Sequence, residues 1–246
     1  NHIILSEIVK KKISCSHDLL LKAVNSGKII YGVNTGFGKL SQVKIEKESM
    51  QELQNNLLKS HAVGVGDLTD ISIVKLMMLL KIISLSKGYS GIRLEVVENL
   101  ITLFNSNYIP IIPSQGSVGA SGDLAPLSHM SLPLIGLGEV MCNNKKISSK
   151  LALKRLKIKL CKLSYKEGLA LINGTQFSSA YGVYCLMKLM NIVKIVDIVG
   201  ALSTDGIMGS RNSFLKKIHL IKMHKGQRDS AYNIYKLLGG SEINKS

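Results

Sequence analysis

Apolar positions along this chain recur mostly at helical spacing. Between 71 and 85 they occupy 71, 73, 74, 76–80, 82, 83 and 85, around Lys75 and Lys81. A helix that is apolar around most of its circumference belongs inside a bundle. Residues 16–26 carry a shorter pattern, with Ser16 placed as N-cap and Gly27 as stop. Further helices are predicted over 46–60, 92–106, from about Asp123, and over 165–172, 175–202 and 228–238. Pro110 and Pro113 end helix after 106, because proline lacks the N–H that a helix interior uses. Glycines at 32, 36 and 38 make 31–38 a loop; 61–66, 114–122, 206–212 and 224–226 read as loops too. Residues 138–164 read as a turn or short hairpin plus a lysine-rich surface segment. No internal repeat and no alternating strand pattern stands out, so the predicted fold class is mainly α.

Composition adjusts this picture little. Of 246 residues, 46% are hydrophobic, enough for a sizeable core, and with no tryptophan that core must be built from Leu, Ile, Val and Met. The net charge of +16 invites a nucleic-acid reading. Against it, arginine occurs only at 93, 155, 211 and 228, so the excess is dispersed lysine, a poorer bidentate reader of base edges. Solvated helix faces account for the charge, and no nucleic-acid partner is expected. Cys15, Cys142, Cys161 and Cys185 form no CxxC pair, which fits a reduced compartment without a zinc ribbon. His129, His219 and His224 have no defensible carboxylate partner at metal-site spacing, so no metal is expected. The stretch 168–187 is uncharged but holds Asn173, Thr175, Gln176, Ser178 and Ser179, a polar-lined helix start and not a membrane span.

The richest chemistry sits in Gly116–Leu127. On composition it is a glycine-rich turn feeding a capped helix, with Asp123 as cap and Pro126 in the first turn. It matches neither GxxxxGK[ST] nor GxGxxG, so no phosphate fingerprint is present. Another chemistry uses these residues. Attack of the Gly122 nitrogen on the Ala120 carbonyl closes a five-membered ring across Ser121, and glycine alone allows so close an approach without a Cβ clash. Loss of two waters then leaves an exocyclic methylidene, an electrophile that no ordinary side chain supplies.

The run Ala120-Ser121-Gly122-Asp123-Leu124-Ala125-Pro126-Leu127 resembles the signature of the aromatic amino acid ammonia-lyases. Three other segments resemble that family in the same order: Tyr31–Gly38 its tyrosine loop, Ser60–Gly66 its selectivity loop, and Leu171–Gln176 its asparagine segment. The resemblance spans essentially the whole chain. It implies that Ala120, Ser121 and Gly122 become methylidene-imidazolone (MIO), with no metal or nucleotide cofactor. It implies that Tyr31 is the base that removes the substrate β-proton, a task for which a phenol needs a lowered pKa. Positive potential from helix N-termini is one source of such a shift. His61 and Asn173 become substrate-binding residues, and Asp123 assists the dehydration.

Ser60-His61 resembles the histidine-acting members, so the implied reaction is non-oxidative deamination of L-histidine to trans-urocanate and ammonia. The alternatives are a tyrosine- or phenylalanine-acting lyase or aminomutase on the same scaffold, or an inactive helical protein. The implied architecture is an N-terminal MIO-loop domain over 1–165 and the start of a helical bundle over 166–246, in a cytoplasmic homotetramer. Where relatives carry Arg-Pro-His, this chain has Lys222-Met223-His224, which keeps one charge but loses bidentate geometry. The chain opens on Asn1-His2 and closes on Asn244-Lys245-Ser246, and it resembles only the first half of the family's length. A fragment with weak or absent turnover is therefore expected, since a second tyrosine, a carboxylate-binding arginine and a glutamate lie downstream in relatives.

Overall fold

A computed structural model describes residues 2–36 and 45–243. Phe37 and Gly38 of the predicted tyrosine loop, and the chain ends Asn1 and Asn244–Ser246, lie outside the described residues. The fold is mainly α. Ten helices are described: α1 (Glu7–Asn25), α2 (Met50–His61), α3 (Ile71–Ser86), α4 (Leu94–Asn105), α5 (Leu124–Ser131), α6 (Ser149–Leu156), α7 (Glu167–Ile172), α8 (Gln176–Gly206), α9 (Lys216–His219) and α10 (Lys225–Leu237). Five short strands accompany them: β1 (Val65–Leu68), β2 (Ile109–Pro110), β3 (Pro113–Gln115), β4 (Glu139–Cys142) and β5 (Lys145–Ser148). β1 pairs with β3, and β2-β4-β5 form a second antiparallel sheet. The predicted hairpin is β4–β5. Asn143 and Asn144 both take positive φ (48° and 60°), the conformation a two-residue type I′ turn requires.

Several boundaries differ from the sequence reading. α1 starts at Glu7, capped by Ser6, whose hydroxyl accepts from the Val9 N–H. Ser16 instead sits inside the helix, and its hydroxyl accepts from the Gly91 N–H at 3.1 Å. The lysine-rich segment hides α6, capped by Ser148 and burying Ala152 and Leu153. α8 runs on to Gly206 and α10 begins at Lys225.

The chain divides into two compact units, Asn1–Gly182 and Val183–Ser246. In the first, α3 is capped by Asp70 and buries Ile73, Val74, Met77, Met78, Ile82 and Leu85, as its all-round apolar pattern requires. α2, α5 and α7 pack on one another. Glu167, fully buried at the start of α7, accepts from the Arg93 backbone N–H, Nε and guanidinium at 3.1, 2.8 and 2.7 Å, and from the Ser164 N–H at 2.7 Å. In the second unit the Asp197 carboxylate of α8 accepts from Ser230 and Asn233 of α10. The Arg211 guanidinium lies 3.8 Å from the Tyr235 ring centroid.

Candidate active site

Three chain segments converge around the predicted tripeptide. The loop from β3 to α5 passes Gly64 at Gly116, where a Cβ would lie 3.0 Å from the Gly64 Cα. It then passes the Asn173–Gly174 backbone at Gly122, where a Cβ would lie 2.7 Å from the Gly174 oxygen and 3.0 Å from its nitrogen. Gly122 also holds φ +118°, a region L-residues with side chains rarely enter. Glycine at 122 is thus demanded twice, by conformation and by space.

The next residue anchors the loop. Asp123 is 1% exposed, and its N–H donates to the Gly174 carbonyl at 2.7 Å. The sequence reading made Asp123 the N-cap of α5; it occupies that position, but its carboxylate makes no cap bond there. It accepts instead from the Ser117 hydroxyl at 2.7 Å, the Ser178 hydroxyl at 2.7 Å and the Ser178 N–H at 2.8 Å. The carboxylate therefore ties the tripeptide loop to the first turn of α8, where unpaired N–H groups carry positive potential.

The segment that follows Ser60 arrives from the C-terminal end of α2. Ser128 of α5 donates to the Leu58 carbonyl at 3.0 Å, and the Gly64 N–H donates to His129 Nε2 at 3.0 Å. Burial pushes the His129 imidazole below its ordinary pKa, which suits the neutral, accepting Nε2. His61 Nδ1 lies 2.8 Å from the Leu57 carbonyl and 3.1 Å from the Ser60 hydroxyl. A carbonyl can only accept, so Nδ1 carries the proton and the Nε2 lone pair of the neutral ring is left for another partner.

Ser60, His61 and Val63 from one side, and Ala120, Ser121 and Gly122 from the other, line a single cavity of about 180 Å³. A larger cavity of about 630 Å³ lies in the second unit between Phe214 and Tyr235 and holds none of the predicted site residues. Tyr31 and Asn173 are not among the lining residues of the tripeptide cavity. Tyr31 stands in a turn at 60% exposure, above a loop pinned by buried Asn34, which accepts from the Ile30 N–H and donates to the Lys28 carbonyl, each at 2.8 Å. Asn173 ends α7, with an exposed side chain.

Sequence reasoning passed over Lys81. It is 1% exposed, and its Nζ donates to the Asn173 carbonyl at 2.8 Å. Burial lowers its pKa to about 7, and no carboxylate pairs with it among the described residues. The available signal was a lysine in the middle of an otherwise apolar helix. Among the described residues no group of His, Cys, Asp and Glu is placed to hold a metal ion, and no helix is long and apolar enough to cross a membrane.

The chain is 44% identical over 241 residues to the histidine ammonia-lyase of Caldanaerobacter subterraneus subsp. tengcongensis, covering 98% of this chain and 47% of that protein. Its structure superposes on a Pantoea agglomerans phenylalanine aminomutase with TM-score 0.94 at 33% identity, covering 99% of this chain and 47% of the other. It superposes on the Trypanosoma cruzi histidine ammonia-lyase with TM-score 0.88 at 35% identity, covering 95% and 45%. The chain spans about half the length of the curated relatives it matches. The model of the aromatic amino acid lyases matches residues 1–246, and the chain belongs to that family.

Proposed function

We propose that this chain is the electrophile-bearing part of an enzyme that deaminates L-histidine to trans-urocanate and ammonia, opening histidine degradation. The observation that carries the reading is the shared cavity, which His61 lines together with Ala120, Ser121 and Gly122. The tripeptide fits the MIO group: Gly122 lies against Gly174 in a cradle that a Cβ would fill, and its φ suits glycine alone. Ala120, Ser121 and Gly122 would hold MIO, which supplies an electrophile toward an electron-rich group of the substrate and so makes ammonia a feasible leaving group.

The chain's own residues supply binding and proton transfer. The His61 Nε2 lone pair accepts from the substrate imidazole N–H, a pairing a plain phenyl ring cannot return. Tyr31 takes the β-proton, and Asn173 binds the substrate amine or carboxylate. Asp123 holds the loop shut against α8. A homotetramer in the cytoplasm completes the reading; the apolar side chains exposed along α8 support assembly, and the exposed thiols of Cys15 and Cys185 suit a reducing compartment.

Intact mass spectrometry tests the proposal. The expected mass is two waters below that of the sequence, and borohydride treatment abolishes urocanate formation by the assembled enzyme. A substrate panel separates histidine from tyrosine and phenylalanine. An unmodified mass, or turnover that favours a phenyl substrate, contradicts it.

A further inference from the structure

Lys81 is an amine buried where its charged form is disfavoured. It sits mid-helix in α3 among buried Met77, Met78, Ile82 and Leu85. Taking an ammonium out of water is unfavourable unless partners offset the lost hydration. Among the described residues it donates to one neutral carbonyl, that of Asn173, and no carboxylate pairs with it. A methionine would fill the same volume without that cost, so the buried amine needs an explanation beyond packing.

The explanation lies one peptide further on. Asn173 O is held by Lys81, and Gly174 O, the next carbonyl along the chain, accepts from the Asp123 N–H at 2.7 Å. Gly174 has φ +143°, and a Cβ built there would collide with the Gln176 side chain, so only glycine fits and the turn has no side chain of its own to hold it in place. The same turn is the wall against which Gly122 lies. We propose that Lys81 is a positioning residue: its ammonium clamps the Asn173–Gly174 turn against the Gly122–Asp123 peptide and thereby sets the approach of the Gly122 nitrogen to the Ala120 carbonyl carbon. This rests on the MIO reading above.

The closure it serves is redox-neutral. The Gly122 nitrogen forms a bond to the Ala120 carbonyl carbon and gives up its proton. The former carbonyl oxygen takes that proton and the Ser121 amide proton and leaves as the first water, while a C=N bond forms between the Ala120 carbonyl carbon and the Ser121 nitrogen. The Ser121 Cα–H proton and its hydroxyl leave as the second water, while Cα=Cβ forms. The first bond depends on a compressed loop, because an extended tripeptide keeps the two atoms apart. A wall that can retreat by a fraction of an ångström slows the first bond.

The test compares Lys81→Met, Lys81→Gln and Lys81→Arg with the parent chain by intact mass and by thermal melting. The parent is expected to be two waters light. Lys81→Met is expected to melt cooperatively, at or above the parent temperature, yet to show at least a 10-fold smaller dehydrated fraction after the same interval. Lys81→Arg, which keeps a cationic donor, is expected to recover most of the dehydration. If Lys81→Met is insoluble, Lys81→Gln carries the same comparison. A fully dehydrated neutral variant overturns the Lys81 assignment alone, and so does failure of both neutral variants to fold, which would make the role one of general stability. An unmodified parent overturns the MIO reading together with it.

Discussion

Gly122 is under two constraints that alanine violates separately. Placing a side chain at φ +118° costs about 1–3 kcal/mol, and its Cβ would meet the Gly174 oxygen at 2.7 Å, well inside contact distance. Gly119 is the natural control, with φ +74° but nothing within 4 Å of a built Cβ. Gly122→Ala is therefore expected to lower the melting temperature by roughly 3–10 °C and to lose the two-water mass deficit. Gly119→Ala bears the conformational cost of about 1 kcal/mol alone and keeps the deficit. Equal dehydration in both variants would show that the Gly174 wall does not govern ring closure. Asp123 obeys a similar logic with polarity in place of volume. A carboxylate 1% exposed is tolerable because Ser117 and Ser178 together give it three donors. The residues that define the site are thus fixed by neighbours far away in sequence, and that distance explains why their identities were legible while their partners were not.

The elements carrying these residues are joined by few bonds, and one of them titrates. His129 of α5 accepts the Gly64 N–H through Nε2, linking the helix after the tripeptide to the segment after His61. Burial holds its folded pKa below the ordinary value of 6.5. Between those two values the unfolded chain binds more protons than the folded one, so stability rises with pH across that window. The contribution is complete above about 6.5 and is lost as pH falls through the folded pKa. Melting temperature is expected to drop as pH is lowered from about 7.5 to about 5.5, with a shallower drop in His129→Gln, whose amide oxygen can still accept. Parallel curves for the two proteins would refute the link. Helical type was largely readable because apolar spacing is a local property: α3, α4 and α8 follow from it. Starts were less so. Ser6 and Ser16 are equally good caps in isolation, and only packing against Gly91 draws Ser16 into the helix interior. α6 was obscured because its lysines dominate the pattern, although Ala152 and Leu153 mark a buried face. In the site, the Gly-rich loops and the Ser60-His61 pair were visible. Lys81 and the Asp123–Ser178 bonds were not, since each links positions at least 55 residues apart.

At the scale of the molecule, α8 is the feature that most needs company. Asp197 is tied to α10, but Leu186, Met187, Leu189, Met190, Ile192 and Val193 remain 52–61% exposed. A contiguous apolar surface of this kind is uncommon on a monomer and marks an interaction site. The proposed assembly would use it, and the chain's charge would oppose it: at +16, two copies repel unless salt screens them. Hydrophobic contact and charge repulsion therefore give opposite salt responses from those of an ion-pair interface. Light scattering is expected to return a mass above 26.8 kDa that grows with protein concentration and with salt. Leu189→Glu combined with Val193→Glu, one turn apart on α8, is expected to return it to the monomer value while leaving the dehydration of Ala120, Ser121 and Gly122 intact, because that loop lies in the first unit and these substitutions in the second. A parent chain that stays monomeric at high salt would remove α8 as the assembly surface, and loss of the two-water mass deficit in the double variant would show that ring closure depends on assembly as well as on the loop.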